Sequence, residues 1–285
     1  MSIGIADSVV WVSGERQADE ARHLSARDRG FTLGDGVFET MRARNGTVFR
    51  LDRHLDRLDR ALTFLEIPSP RQLREWVIGA AAATGAPEAA IRLTVTRGPG
   101  PAGLAPPPQS RPTVTISAGP LPIFPASIYT DGLTAHVASG RRNEFAMTAG
   151  LKTLAYVDAI AALFEAQRAG ADEALFLDTQ GHCSEATASN LFAWIGGTLV
   201  TPPASCGALP GITREAIVEL ARADGVAVVE RVLELDELLA ADEAFLTSSL
   251  RGIVPLVRVG KAPIGRGSPG EFTERMTAAY RALLP

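Results

Sequence analysis

Apolar and polar positions along this chain repeat with two different periods, and the switches between them mark its elements. Two-residue alternation over Val37–Arg44 and Ala90–Arg97 predicts strands, and Val9–Val12 and Pro112–Ser117 read as two more. Asn45-Gly46 before Thr47-Val48-Phe49 predicts a two-residue hairpin turn, because both turn residues tolerate a positive φ. Leu55, Leu58, Leu62 and Leu65 then recur at helical spacing, with Arg53, Asp56, Arg57, Asp59 and Arg60 on the other faces. Asp52 stands where it can cap this helix, and Pro68 ends it. A second helix covers roughly 71–84 and closes at Gly85. Before the first hairpin, Arg29 to Gly36 holds three glycines and reads as a turn. Gly98 to Pro108 is so rich in glycine and proline that it must be a long loop.

Gly119 to Pro125 reads as an extended linker. It divides a small N-terminal domain, 1–118, from a larger β-rich domain, 126–285. The second half predicts strands at Leu133–Ala138, Glu173–Asp178, Val226–Val232, Glu243–Thr247 and Ile253–Val259. Asn190–Ile195 and Thr198–Thr201 form a hairpin across Gly196-Gly197. Helices run from Lys152 to Arg168, from Thr213 to about Ala223, and over roughly 270–284. Mixed elements in both halves, without a regular βαβ series, give an α+β (mixed α/β) fold class.

Composition narrows the function. The 285 residues are 46% apolar, enough for two modest cores. A net charge of −4 with interspersed signs argues against a nucleic-acid partner, since such binding usually needs a basic face. Cys183 and Cys206 supply neither a disulfide framework nor a metal-ligand spacing, and they favour a reducing cytoplasm. No run reaches membrane-spanning length, and the Met1–Gly4 start lacks a basic leader segment. The chain has only two lysines, Lys152 and Lys261, among many arginines. A lysine amine, unlike a guanidinium, can lose its proton when desolvated and attack a carbonyl. Read alone, Lys152 is by default a solvated surface charge with its stem laid on apolar neighbours.

Five stretches, in order along nearly the whole chain, change that balance: Asp28-Arg29-Gly30 with Phe31 to Thr40, His54-Leu-Asp-Arg57-Leu58, Gly150-Leu-Lys152-Thr-Leu, Glu185 to Phe192, and Gly211-Ile212-Thr213-Arg214. Together they resemble the class IV, fold-type IV, pyridoxal-phosphate aminotransferases, a family that includes branched-chain, D-amino-acid and R-selective amine aminotransferases and aminodeoxychorismate lyase. The resemblance implies pyridoxal 5'-phosphate as cofactor, a two-domain subunit and a homodimer. It implies Lys152 as the Schiff-base anchor and proton carrier, and Glu185 facing the pyridine nitrogen. Arg57, Gly211, Ile212, Thr213, Ser248 and Ser249 would hold the phosphate, and Tyr156 would reach the phenolic oxygen. Each has a structural alternative when read singly: solvated helix face, helix cap, turn, or core packing.

Phe31, Phe38 and Arg92 are the candidate substrate contacts. The two rings favour an apolar side chain, and Arg92 matches an arginine near the acidic end of the substrate in branched-chain enzymes. The 98–108 loop lacks the arginine and histidine with which D-amino-acid enzymes grip a carboxylate, and it has Ala102 where the lyases often carry arginine. The expectation is therefore amino transfer between an amino acid or primary amine and a 2-oxo acid. The alternative is the lyase reaction, releasing pyruvate and 4-aminobenzoate.

Overall fold

The structure, a computed structural model, describes residues 9–18 and 24–285. The Met1–Gly4 segment, expected to carry no basic leader, lies outside them. The chain forms two compact units. One comprises the described residues up to Ile123 with Leu151–Ala155 and Leu284–Pro285, and the other Phe124–Gly150 and Tyr156–Leu283. The five residues around Lys152 thus belong with the N-terminal unit although they lie far along the chain.

The first unit is a six-stranded sheet with two main helices. Its elements are β1 (Val9–Val12), β2 (Glu15–Gln17), α1 (Arg29–Leu33), β3 (Gly36–Arg44), β4 (Thr47–Val48), α2 (Leu51–Phe64), α3 (Leu73–Ala83), β5 (Glu88–Thr96) and β6 (Thr113–Pro120). The strand order is β2-β1-β6-β5-β3-β4, antiparallel throughout. The Asn45-Gly46 hairpin forms as expected, with φ of 48° and 78° and Arg44 facing Thr47. Alternation places Val37, Met41, Ile91, Leu93 and Val95 in a core closed by Leu58 and Leu62 of α2 and Val77 of α3. Each such aliphatic side chain contributes about 1.5–3 kcal/mol on burial.

Three expectations need correction in this unit. Residues 29–33 are a short helix rather than a turn, N-capped by the Asp28 carboxylate on Gly30 N–H and ended by Gly34 at φ 69°. Gly30 is required for space, since a Cβ there would overlap the Thr96 side chain. Asp52 is not the cap of α2. Arg50 takes that position in a left-handed conformation, and Asp52, in the first turn, pairs with Arg74. Arg57 does not lie on a solvated face but is buried, together with His54.

The second unit holds α4 (Ser127–Thr130), β7 (Leu133–Arg142), α5 (Val157–Arg168), β8 (Glu173–Asp178), β9 (Cys183–Ala186), β10 (Asn190–Ile195), β11 (Thr198–Thr201), α6 (Ile212–Ala223), β12 (Ala227–Glu230), α7 (Leu235–Leu239), β13 (Glu243–Ser248), β14 (Gly252–Val259), β15 (Ala262–Pro263) and α8 (Glu271–Leu283). The sheet path is β12-β11-β10-β13-β14-β7-β8-β9. A further pairing of β9 with β10, Glu185 opposite Asn190, closes six of these strands into a ring. The ring gives its six strands neighbours on both sides, while β11 and β12 continue outward from β10 and leave β12 as an edge. The interior is filled by Leu133, Leu175, Leu191, Leu246 and Leu256 among others. β7 runs on to Arg142, past the expected loop, by way of a bulge between Val137 and Arg141. The helix expected from Lys152 begins only at Val157. Residues 152–154 are drawn into an extended bridge instead, so strand pairing overrides the helical spacing of their apolar residues. Among the described residues no helix is long and apolar enough to cross a membrane.

Candidate active site

Strand alternation on β3 sorts two sets of residues in the first unit. Val37, Glu39 and Met41 share the core face, whereas Phe38 and Thr40 share the other with Arg92 and Thr94 of β5. Lys152 is tied to this strand by its backbone. Phe38 N–H donates to the Lys152 carbonyl at 3.0 Å, and Leu154 N–H donates to Gly36 O at 3.0 Å, with Val37 bridging Thr153. The lysine is half-buried, and its Nζ stands 4.6 Å from the centroid of the Phe38 ring. The Arg92 guanidinium stacks on the same ring at 3.8 Å. The buried Phe38 ring therefore carries two cations, and the quadrupole of an aromatic face attracts both. Arg92 itself is exposed, and Phe31, on α1, is 75% exposed.

On the core face, Glu39 is wholly buried, a position that an isolated carboxylate cannot occupy ionised. α2 answers it from two successive turns. Arg57 Nε donates to Oε1 at 2.8 Å and Nη2 to Oε2 at 2.6 Å, while His54 Nδ1 lies 2.7 Å from Oε2. Burial pushes the Glu39 carboxyl up, but the His54 hydrogen bond and the Arg57 contacts outweigh it and bring the pKa to about 2. The His54 pKa is lowered, chiefly by burial, with the Arg57 and Lys152 charges adding to it against the pull of Glu39. A neutral His54 meeting a carboxylate must present Nδ1–H. Neither Glu39 nor His54 was a site candidate from the sequence. The signal for Glu39 was available, since an acid two residues from both Val37 and Met41 on a strand is on the core face and demands cations.

In the second unit strand pairing lines up Glu185, Asn190 and Thr247, and Gly211 packs against Asn190. Glu185 sits opposite Asn190 of β10, which in turn sits opposite Thr247 of β13, next to Ser248. The Glu185 carboxylate is buried. Its Oε2 accepts from Leu209 N–H at 2.9 Å, and its Oε1 stands 3.1 Å from Arg142 Nε, an ion pair without hydrogen-bond alignment. Asn190 Nδ2 donates to Leu209 O at 2.8 Å, so Asn190 and Glu185 together fasten the chain just before α6. At Gly211, the N-cap of that helix, a Cβ would overlap the Asn190 side-chain oxygen. No side chain caps α6, and Ile212 and Thr213 are buried in its first turn. Ser248 and Ser249 lead into the turn between β13 and β14, half-buried, beside a Thr247 hydroxyl that is buried without a hydrogen-bond partner. Tyr156, half-buried, is the N-cap residue of α5.

This donor set suits pyridoxal phosphate. An N-terminal helix turn without a side-chain cap, with a threonine in it and hydroxyls close by, is an anion site made of backbone N–H groups and the helix dipole. Glu185, a buried carboxylate, is of the chemical type that accepts from a protonated ring nitrogen. Asn190 and Arg142 are additions that the sequence did not single out as site residues.

The Amino-transferase class IV family model matches residues 36–259. A putative branched-chain-amino-acid aminotransferase of Methanocaldococcus jannaschii is 35% identical over 278 residues, 96% of each chain. The branched-chain amino acid aminotransferase of Escherichia coli superposes with a TM-score of 0.92 at 30% identity, covering 97% of this chain and 94% of that one. The 4-amino-4-deoxychorismate lyase of Pseudomonas aeruginosa does so with a TM-score of 0.86 at 35% identity, covering 96% and 98%. The mixed two-unit architecture is therefore fold type IV, and the chain belongs to the class IV aminotransferases.

Proposed function

We propose that this pyridoxal-phosphate aminotransferase exchanges the amino group of an apolar, branched-chain L-amino acid with a dicarboxylic 2-oxo acid. The observation that carries the reading is the grouping of Lys152 and Arg92 on the buried ring of Phe38, within 4.6 and 3.8 Å of its centroid. It sets an amine, an apolar wall and a guanidinium suited to a second carboxylate side by side. The names of the branched-chain relatives point the same way. When bound, the cofactor supplies an electron sink for the bonds at the substrate's α-carbon.

The chain's own groups do the rest. Lys152 would hold the cofactor covalently through Nζ and, as a free amine, would take onto that Nζ the proton removed from the substrate α-carbon. Glu185 would keep the pyridine nitrogen protonated, and Tyr156 would hydrogen-bond the phenolic oxygen. In the C-terminal unit the first turn of α6 from Gly211 through Thr213, with Ser248 and Ser249, would bind the phosphate, and Arg57 is the phosphate candidate of the N-terminal unit. We further place the protein in the cytoplasm as a homodimer. Its two cysteines are free, and Val157, Ile160 and Phe164 form an exposed apolar stripe on one face of α5.

A second reading is the lyase reaction, favoured by the 35% identity to the Pseudomonas enzyme. One experiment separates the two. Holoenzyme is mixed singly with L-leucine, L-isoleucine, D-alanine, (R)-1-phenylethylamine and aminodeoxychorismate. Conversion of the cofactor spectrum to the pyridoxamine form by the branched-chain donors supports the proposal. Pyruvate release from aminodeoxychorismate without that conversion overturns it in favour of the lyase.

A further inference from the structure

Glu39 is unusual in this chain because it is an acid with no exposed surface, placed on the apolar face of a sheet. Burying an ion pair gives little net stability compared with a well-packed apolar pair, so its retention asks for another reason. The geometry supplies one. The carboxylate engages the Nε and Nη2 edge of the Arg57 guanidinium, at 2.8 and 2.6 Å, and the same Oε2 is also met by His54. A planar guanidinium gripped along one edge has its plane and its opposite end fixed. Arg57 and His54 stand three residues apart on α2, so one helix face and one strand position define the whole cluster.

We propose that Glu39 is the positioning residue for Arg57: with His54 it fixes the guanidinium and thereby sets how tightly the phosphate end of the cofactor is held. This rests on the reading of Arg57 as a phosphate ligand. Glu39 touches neither cofactor nor substrate in this role. Its negative charge near a phosphate works against binding, so any gain in affinity comes from orientation, and that makes the role separable from plain electrostatics.

The test titrates apoprotein with pyridoxal phosphate and, separately, with pyridoxal, which lacks the phosphate, following the visible absorption of bound cofactor. Arg57→Gln and Glu39→Gln are each expected to weaken pyridoxal phosphate by roughly tenfold or more, the loss of one hydrogen bond to a charged group. Pyridoxal affinity stays within about twofold, since a role confined to the phosphate end leaves the rest of the cofactor's interactions intact. The double variant is no weaker than Arg57→Gln alone, because Glu39 acts only through the arginine. Should Glu39→Gln fail to melt cooperatively, Glu39→Asp replaces it. It keeps the charge but withdraws it by one methylene, and the same selective loss is expected. Unchanged pyridoxal phosphate affinity in Arg57→Gln removes the phosphate reading itself. A loss in Arg57→Gln with none at Glu39, or an equal loss of pyridoxal and pyridoxal phosphate at Glu39, overturns the positioning role.

Discussion

The two units furnish their candidate residues by opposite means. In the N-terminal unit, charged side chains hold one another: Arg57 and His54 on Glu39, Arg97 and Arg29 on Asp35, and Lys152 and Arg92 on one aromatic ring. In the C-terminal unit, the backbone does most of the work. A glycine cap opens α6, a main-chain amide holds Glu185, and a strand pairing aligns it with Asn190. Side-chain clusters fix the direction of a cation but titrate and can be dismantled by one substitution. Backbone donors do not titrate, and they tolerate change except where a close approach forbids a side chain.

Lys152→Ala removes the one amine that the N-terminal unit sets beside Phe38. Turnover should fall by at least roughly 10²- to 10⁴-fold from lost proton transfer alone, and the absorption of covalently held cofactor should vanish. Retained absorption would move the covalent anchor to Lys261, the remaining lysine, which is exposed in the turn between β14 and β15. Glu185→Gln tests the carboxylate on which the C-terminal site depends. It should lower kcat by about 10- to 100-fold while cofactor stays bound, the scale of one charged hydrogen bond. An unchanged kcat would remove Glu185 from the chemistry. Gly211→Ala probes the backbone half directly. The added methyl group overlaps Asn190, and overpacking of this kind costs about 1–3 kcal/mol. We expect weaker cofactor affinity with a smaller loss of thermal stability, and full affinity would show that the helix start is not the phosphate site.

The same division explains what the sequence disclosed. Hairpin turns at Asn45-Gly46 and Gly196-Gly197, the leucine spacing of α2 and the strand at Glu173–Asp178 are local signals, and all appear in the structure. What failed was decided by long-range pairing. Lys152 sits in an apolar run that reads as helix, yet its neighbours are claimed by β3, more than a hundred residues earlier. Arg57 carries a charge that reads as solvated, until Glu39 is recognised as facing the core. On the backbone side, the glycine of Gly-Ile-Thr was visible, but its reason, the Asn190 side chain against it, depends on a contact across twenty-one residues that no local pattern encodes.

The smallest expected effect is a pH slope, and it belongs to the ionic cluster alone. His54 has its pKa lowered in the folded protein, mainly by burial, so the unfolded chain binds its proton first as the pH falls. The sign follows from linkage. The stability contributed by neutral His54 is complete above the unfolded value near 6.5 and is lost progressively as the pH drops towards the folded pKa, by up to about 1.4 kcal/mol per pH unit. Replacing the ring by glutamine keeps a donor for Glu39 but removes the titration. Denaturant melts of apoprotein at pH 7.5, 6.5, 5.5 and 5.0 should therefore show wild type losing stability faster than His54→Gln below pH 6.5, with the two slopes parallel above it. Parallel slopes throughout would mean that His54 accepts its proton in the fold as readily as in the unfolded chain. The buried cluster would then be charged on both α2 residues, and the orientation of Arg57 would no longer follow from a neutral histidine donating to Glu39.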